Sequence, residues 1–292
     1  MSLSIVYVNG APRSGTTLLM GLLGSFKNVS YVQQYPYEHR FAAYLASTYS
    51  VLTSTTPDPS PWQFEAELPN KRLTPFPFQG DDVSKAWHSG SFRNHMKAGL
   101  RASLEELAAR NSTARGYRGD SFWWAEKFPG RHEAALMEIF QSFHLLSVVR
   151  NPLDIALSRI RLASKKDGIW IHEGGPINMA ETVNHEIRKV HDIAMAHQDV
   201  ARRRSEPHLL LRYENAVDDK AWALDQIATA FEFEIDPPMA AKIKARSDEE
   251  RVYHSSVPME LSSADENLRQ ELEAAVSNAG RDMLKRLGYG AP

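Results

Sequence analysis

The chain has 292 residues, of which 34 are Lys or Arg and 36 are Asp or Glu, giving a formal net charge of −2. At 42% hydrophobic and 24% charged it is too apolar for a disordered chain, and its near-neutral balance argues against bulk nucleic-acid binding. It holds no cysteine, which excludes disulfides, a thiolate nucleophile and a cysteine-ligated zinc or iron–sulfur site. Any anionic ligand must then be held by a few well-placed cations.

The elements are read in chain order. Ile5 to Val8 is a short β-branched and aromatic run, a first strand. Asn9-Gly10-Ala11-Pro12 breaks it, and Leu18, Leu19, Leu22 and Leu23 recur at helical spacing. From about 49 to 90 the sequence is dense in proline, with Trp62, Phe64, Phe76, Phe78 and Trp87 interleaved. That composition suits an irregular excursion packed on the domain, either a structural flap or a wall of an acceptor site. Ser91 to Ala109 reads as a helix and His144 to Val149 as a buried strand. Pro152 then opens a helix to Ala163. Lys165 to Pro176 is a polar loop carrying Trp170. Met179 to Arg204 is helical, His208 to Arg212 a strand, and Ala221 to Phe231 a helix. Ser263 and Glu266 form a capping box that opens a last helix to about Leu287. Strands alternating with helices predict an α/β fold with a central, mostly parallel sheet, as a single domain over 1–292. No apolar run approaches the roughly 18 residues of a membrane span, so no transmembrane segment is expected. The first strand begins too early for a secretory leader, and the expected compartment is cytoplasmic.

Gly10-Ala11-Pro12-Arg13-Ser14-Gly15-Thr16-Thr17 has the outline of a phosphate-binding loop between strand and helix. Gly10 and Gly15 let the backbone turn tightly, the helix amides and dipole face an anion, and Ser14, Thr16 and Thr17 add hydroxyls. Thr16 stands where a nucleoside triphosphatase loop carries its lysine, and Arg13 supplies a cation earlier instead. A second candidate lies in Val148-Val149-Arg150-Asn151-Pro152, followed in the next helix by Ser158. Arg150 sits at a strand's carboxyl end, where α/β sheets bind ligands, and a guanidinium fork suits a phosphate.

Together these segments resemble the sulfotransferases that use 3′-phosphoadenosine 5′-phosphosulfate (PAPS). The Pro-Arg-Ser-Gly-Thr-Thr form is closer to the tyrosylprotein and carbohydrate branches than to the cytosolic phenol branch. The resemblance implies a P-loop-like fold, a 5′-phosphosulfate site at residues 10–17 and a 3′-phosphate site at Arg150 and Ser158. Where the family often adds a third basic contact this chain has Leu162, with Arg159 and Arg161 nearby. Leu211-Arg212-Tyr213-Glu214 resembles a strand end whose tyrosine lies close to the nucleotide; the alternative for Tyr213 is a packed aromatic. Glu126-Lys127-Phe128-Pro129 resembles the segment whose lysine approaches the bridging oxygen; a solvated loop lysine is the alternative. Glu38, in Tyr37-Glu38-His39-Arg40, is the expected base, with His39 its competitor and His88 a more distant one.

Sulfuryl transfer needs a base, cations on the transferring group and an in-line geometry, and no metal. The expected activity is transfer from PAPS to a hydroxyl or amine of a small-molecule, glycan or lipid acceptor, with Glu38, Arg13 and Lys127 as the reaction groups. Two other functions remain open at this level. One is a P-loop kinase or nucleoside triphosphatase with an atypical loop. The other is a non-catalytic binder of adenosine 3′,5′-bisphosphate.

Overall fold

The computed structural model describes residues 2–34, 37, 39–53, 90–127, 133–140, 143–165, 178–203, 207–242 and 263–290. Strands β1 (Ser2–Gly10), β2 (Val29–Ser30), β3 (Ser121–Lys127), β4 (His144–Val149) and β5 (His208–Arg212) form a five-stranded sheet in the order β2-β3-β1-β4-β5. β2 runs parallel to β3, with Val29 opposite Trp123. β4 runs parallel to β5, from Leu145 opposite His208 to Val149 opposite Arg212. The fold is α/β, a parallel sheet flanked by helices. Position in the sheet follows from the apolar pattern. Ile5, Val6, Tyr7 and Val8 in β1, and every residue of β4, are buried in succession rather than alternately. Such strands are covered on both faces, and they take the inner places. The sheet ends on the two-residue β2 and the half-buried β5.

Contacts divide the chain into two compact units, Met1–Val6 with Lys27–His144, and Tyr7–Phe26 with Leu145–Pro292. In the first, α3 (Gly90–Ala114) packs on β2 and β3, and on α2 (Phe41–Thr53) and α4 (Glu133–Phe140). Ser30 Oγ donates to the Ala108 carbonyl at 3.0 Å, which joins β2 to α3 inside the core. Trp124 is buried and meets the Phe41 ring edge-on at 6.0 Å.

The second unit holds α1 (Thr16–Leu23), α5 (Pro152–Lys165), α6 (Met179–Arg203), α7 (Tyr213–Asp218), α8 (Lys220–Phe231), α9 (Ser263–Ala274) and α10 (Asn278–Arg286). α5 is apolar on two sides. Leu153, Ala156, Leu157 and Ile160 recur at helical spacing and pack against Val183 and Ile187 of α6, Leu272 of α9 and Leu284 of α10. Ile155 points elsewhere, into a cluster with Ala11 and Val149. Ser158 follows Ile155 by one turn, and so lies on the side of α5 that looks at the ends of β1 and β4.

The strands at 5–8, 144–149 and 208–212 and the helices from 91, 152, 179 and 221 match the sequence reading within a few residues. The structure differs from that reading in three respects. Residues Tyr49–Thr53, expected to begin the irregular excursion, are the end of α2; the excursion from 54 to 89 lies outside the described residues. The last helix is two helices. Asn184 of α6 accepts from the backbone N–H of Ser277 at 3.0 Å and from its hydroxyl at 2.7 Å, and donates to the Ala275 carbonyl at 3.1 Å. Ser277 then caps α10 through the Gly280 N–H. The chain therefore stops and restarts where a side chain from another helix takes its free backbone groups. Finally, β2, β3, α2, α4 and α7 have no counterpart in the sequence reading. Among the described residues no helix is long and apolar enough to cross a membrane.

Candidate active site

The neighbouring strands β1 and β4 each end in a turn, and the candidate anion residues follow those ends. The residue after β4 is Arg150; the segment after β1 is the loop Ala11–Gly15. The Ser14 N–H donates to the Ala11 carbonyl at 3.0 Å, which folds the loop tightly. Arg13 takes a left-handed φ of 75° and Gly15 a φ of 107°. Gly15 is the N-cap of α1 and carries no side chain to cap it, so the loop turns directly into the positive end of the helix dipole. Both glycines are sterically required. A Cβ on Gly10 would stand 2.5 Å from Ser14 Oγ and 2.8 Å from Val148 Cγ1. One on Gly15 would stand 2.3 Å from Tyr213 Cδ2.

The loop and the second site form one constellation. Arg13 Nε donates to Ser158 Oγ at 3.0 Å, and Arg150 Nη1 donates to the Arg13 carbonyl at 3.1 Å. The Arg150 guanidinium lies 4.4 Å above the Tyr213 ring. Burial raises the Tyr213 phenol above its ordinary range, and the Arg150 charge pulls it back. Thr16 and Thr17, half-buried, open α1 behind the loop.

Arg150 is only 8% exposed, and among the described residues no carboxylate pairs with it. Its Nε and the Ser14 hydroxyl, itself 0% exposed, have no hydrogen-bond partner among the described residues. A buried cation and an orphaned donor beside a helix N-terminus are costly unless an anion answers them. This pattern fits a phosphate-bearing ligand.

Arg159 and Arg161, candidates for a third basic contact, are both engaged elsewhere. Arg159 Nη1 donates to the fully buried Glu186 at 2.5 Å, and Arg161 Nε to Asp265 at 2.6 Å. Arg269 pairs with Asp154 in the same region at 3.4 Å. These arginines tie α5 to α6 and α9.

Three supporting residues escaped the sequence reading, Glu214, Tyr289 and Glu126. Glu214 Oε1 accepts from the Asn151 N–H at 2.8 Å, directly behind Arg150, and its Oε2 accepts from Tyr289 Oη at 3.2 Å. Arg212 holds the Leu287 carbonyl at 2.5 Å and lies over the Tyr289 ring. The signal available was the run Arg212-Tyr213-Glu214 at a strand end; the role of Tyr289 had none. The third, Glu126, is buried in β3, where an acid in an apolar run is the hint.

The remaining candidates belong to the first unit. Lys127 closes β3 and is 7% exposed, which replaces the alternative of a solvated loop lysine. His39 is exposed just before α2. Glu38, His88 and Trp170 lie outside the described residues. No cluster of His, Asp or Glu able to hold a metal occurs among the described residues.

A sequence profile of the sulfotransferase family matches residues 6–237. The chain belongs to the sulfotransferase family. No curated protein matches it. Among solved structures it is similar to a sulfotransferase domain from the curacin biosynthetic pathway, at 15% identity and a TM-score of 0.48 over 99% of both chains. It is also similar to a sulfotransferase from Mycobacterium avium, at 16% identity and a TM-score of 0.43 over 97% of this chain and 75% of that one. A third is a retinol dehydratase in complex with androsterone and the inactive cofactor PAP, at 14% identity and a TM-score of 0.43 over 96% and 80%.

Proposed function

We propose that this sulfotransferase-family chain takes PAPS as donor and transfers its sulfuryl group to a hydroxyl or amine of a small-molecule, glycan or lipid acceptor. The observation that carries the reading is the buried Arg150, which has no acidic partner among the described residues, joined to the Ser14 hydroxyl, likewise without a partner among them, at the N-terminus of α1. Arg150 and Ser158 are the residues for a 3′-phosphate. The amides of α1, with Gly10, Gly15 and the hydroxyls of Ser14, Thr16 and Thr17, suit the 5′ end. Tyr213 forms the floor under Arg150.

PAPS supplies a sulfuryl group activated by its phosphate leaving group. Arg13 and Lys127 are the cations that answer charge on the sulfuryl and the departing phosphate. The Glu38 carboxylate, with His39 as the competing base, accepts the proton released as the acceptor oxygen or nitrogen bonds to sulfur.

Calorimetry tests the reading. Adenosine 3′,5′-bisphosphate should bind at least about tenfold more tightly than AMP, and Arg150→Ala should remove most of that advantage. Equal affinities overturn the 3′-phosphate assignment. A PAPS-dependent acceptor screen read by mass spectrometry for an added sulfuryl group tests catalysis. Magnesium-dependent ATP turnover without transfer from PAPS favours the kinase alternative. Tight bisphosphate binding without any turnover favours a non-catalytic binder.

A further inference from the structure

Glu126 is a buried carboxylate with no part in the nucleotide cradle. It is 1% exposed. Its Oε2 accepts from the Ala42 N–H at 2.9 Å and from Trp124 Nε1 at 3.0 Å, and its Oε1 accepts from the Ala43 N–H at 2.9 Å. Ala42 and Ala43 are the second and third residues of α2. Their amides are among those a helix leaves without partners of its own, and a negative charge there also answers the helix dipole.

The cap comes from a distant element when a local one would be cheaper. A serine or aspartate just before the helix takes the same amides without burying a charge. Here the preceding residue is Arg40, whose charge acts on Glu126 instead. What the long-range cap adds is a rigid link between the carboxyl end of β3 and the point where the chain enters α2. Lys127 follows Glu126 at that strand end. His39 and Arg40 stand immediately before α2, with Glu38 next to them in sequence. Successive strand side chains leave opposite faces, so Glu126 acts on Lys127 through the backbone of the strand end.

We propose that Glu126 is a positioning residue for the acceptor side of the reaction, bonding the start of α2 to the strand end that bears Lys127. This rests on the sulfotransferase reading, in which Lys127 and Glu38 or His39 serve the transferring group and its proton. A positioning role matters because small misplacements of reacting groups cost large factors in rate.

The test compares Glu126→Gln, Glu126→Asp and Trp124→Phe in the full chain, with PAPS and the acceptor found in the screen. Glutamine sets an NH2 against one of the two amide donors. Its kcat should fall by roughly tenfold or more, while the Kd for adenosine 3′,5′-bisphosphate stays within about twofold of wild type. Aspartate keeps both acceptor oxygens and should recover part of the loss. Trp124→Phe removes one donor, keeps a buried ring and should lower kcat by only a few-fold. It supplies the answer if the glutamine variant does not fold. A glutamine variant with kcat within about twofold of wild type overturns the proposal, as does a parallel loss of kcat and bisphosphate affinity. A wild-type protein that transfers nothing from PAPS fails the functional reading first; an active wild type with an unaffected variant fails only this inference.

Discussion

Replacing Gly15 by alanine drives a methyl group into the ring of Tyr213. Two costs combine. The backbone at Gly15 has a φ of 107°, which a residue with a Cβ adopts at a cost of about 1–2 kcal/mol. The new Cβ would lie 2.3 Å from Tyr213 Cδ2 and 2.9 Å from Cε2. Tyr213 is 4% exposed, so its ring cannot swing into solvent, and overpacking of this kind costs about 1–3 kcal/mol. The expected loss is therefore about 2–5 kcal/mol, a large part of an ordinary domain's stability. Because Arg150 rests on the same ring at 4.4 Å, affinity for adenosine 3′,5′-bisphosphate should fall by about tenfold as well. Urea unfolding gives the first quantity and calorimetry the second. Gly15→Asn separates the causes, since asparagine tolerates positive φ better than alanine but brings the same Cβ. If the ring contact matters, asparagine recovers only part of the loss. A Gly15→Ala protein within about 0.5 kcal/mol of wild type refutes the steric account.

Burial lifts the Glu126 carboxyl from 4.5 to about 7, against the pull of its three N–H donors and the Arg40 charge. The folded value is the higher one, so this contribution to stability is complete below pH 4.5 and is lost as pH rises through about 7. Wild type should lose about 3 kcal/mol relative to Glu126→Gln between pH 4.5 and 8 in urea titrations; a constant difference between the two speaks against it. His197, bonded to Ser147 at 2.9 Å, runs the other way: burial and the neighbouring His208 lower it from 6.5 to about 4. Its contribution is present above pH 6.5 and lost as pH falls toward 4, so wild type should be more acid-sensitive than His197→Asn over that window, and equal acid sensitivity rejects the assignment. Tyr289→Phe removes the donor to Glu214 and should cost about 1 kcal/mol of stability, with a few-fold loss of bisphosphate affinity read by calorimetry. Unchanged affinity would confine Tyr289 to a packing role.

The features legible from the order of residues alone are those whose physics is local. β1 and β4 are legible as compact, mostly apolar runs because a strand covered on both faces does not alternate with exposed polar residues. The loop at 10–17 is legible because only glycine accepts its φ of 107° and close approaches. Arg150 is legible because it directly follows a strand end. Tertiary structure decided whatever depends on a partner far along the chain. Ser158 reaches Arg13 because Ile155, one turn earlier, is drawn into the cluster with Ala11 and Val149. Arg159 and Arg161 leave the anion site because Glu186 and Asp265, from other helices, claim them. The last helix breaks because Asn184 of α6 takes the backbone groups at Ala275 and Ser277. Glu126 looked like one more acid beside a lysine until two amides 84 and 83 residues away were found on its oxygens. Hydrogen bonds and ion pairs between distant segments leave no period or spacing in a sequence, and they decide which charges are spent on the fold and which remain for a ligand.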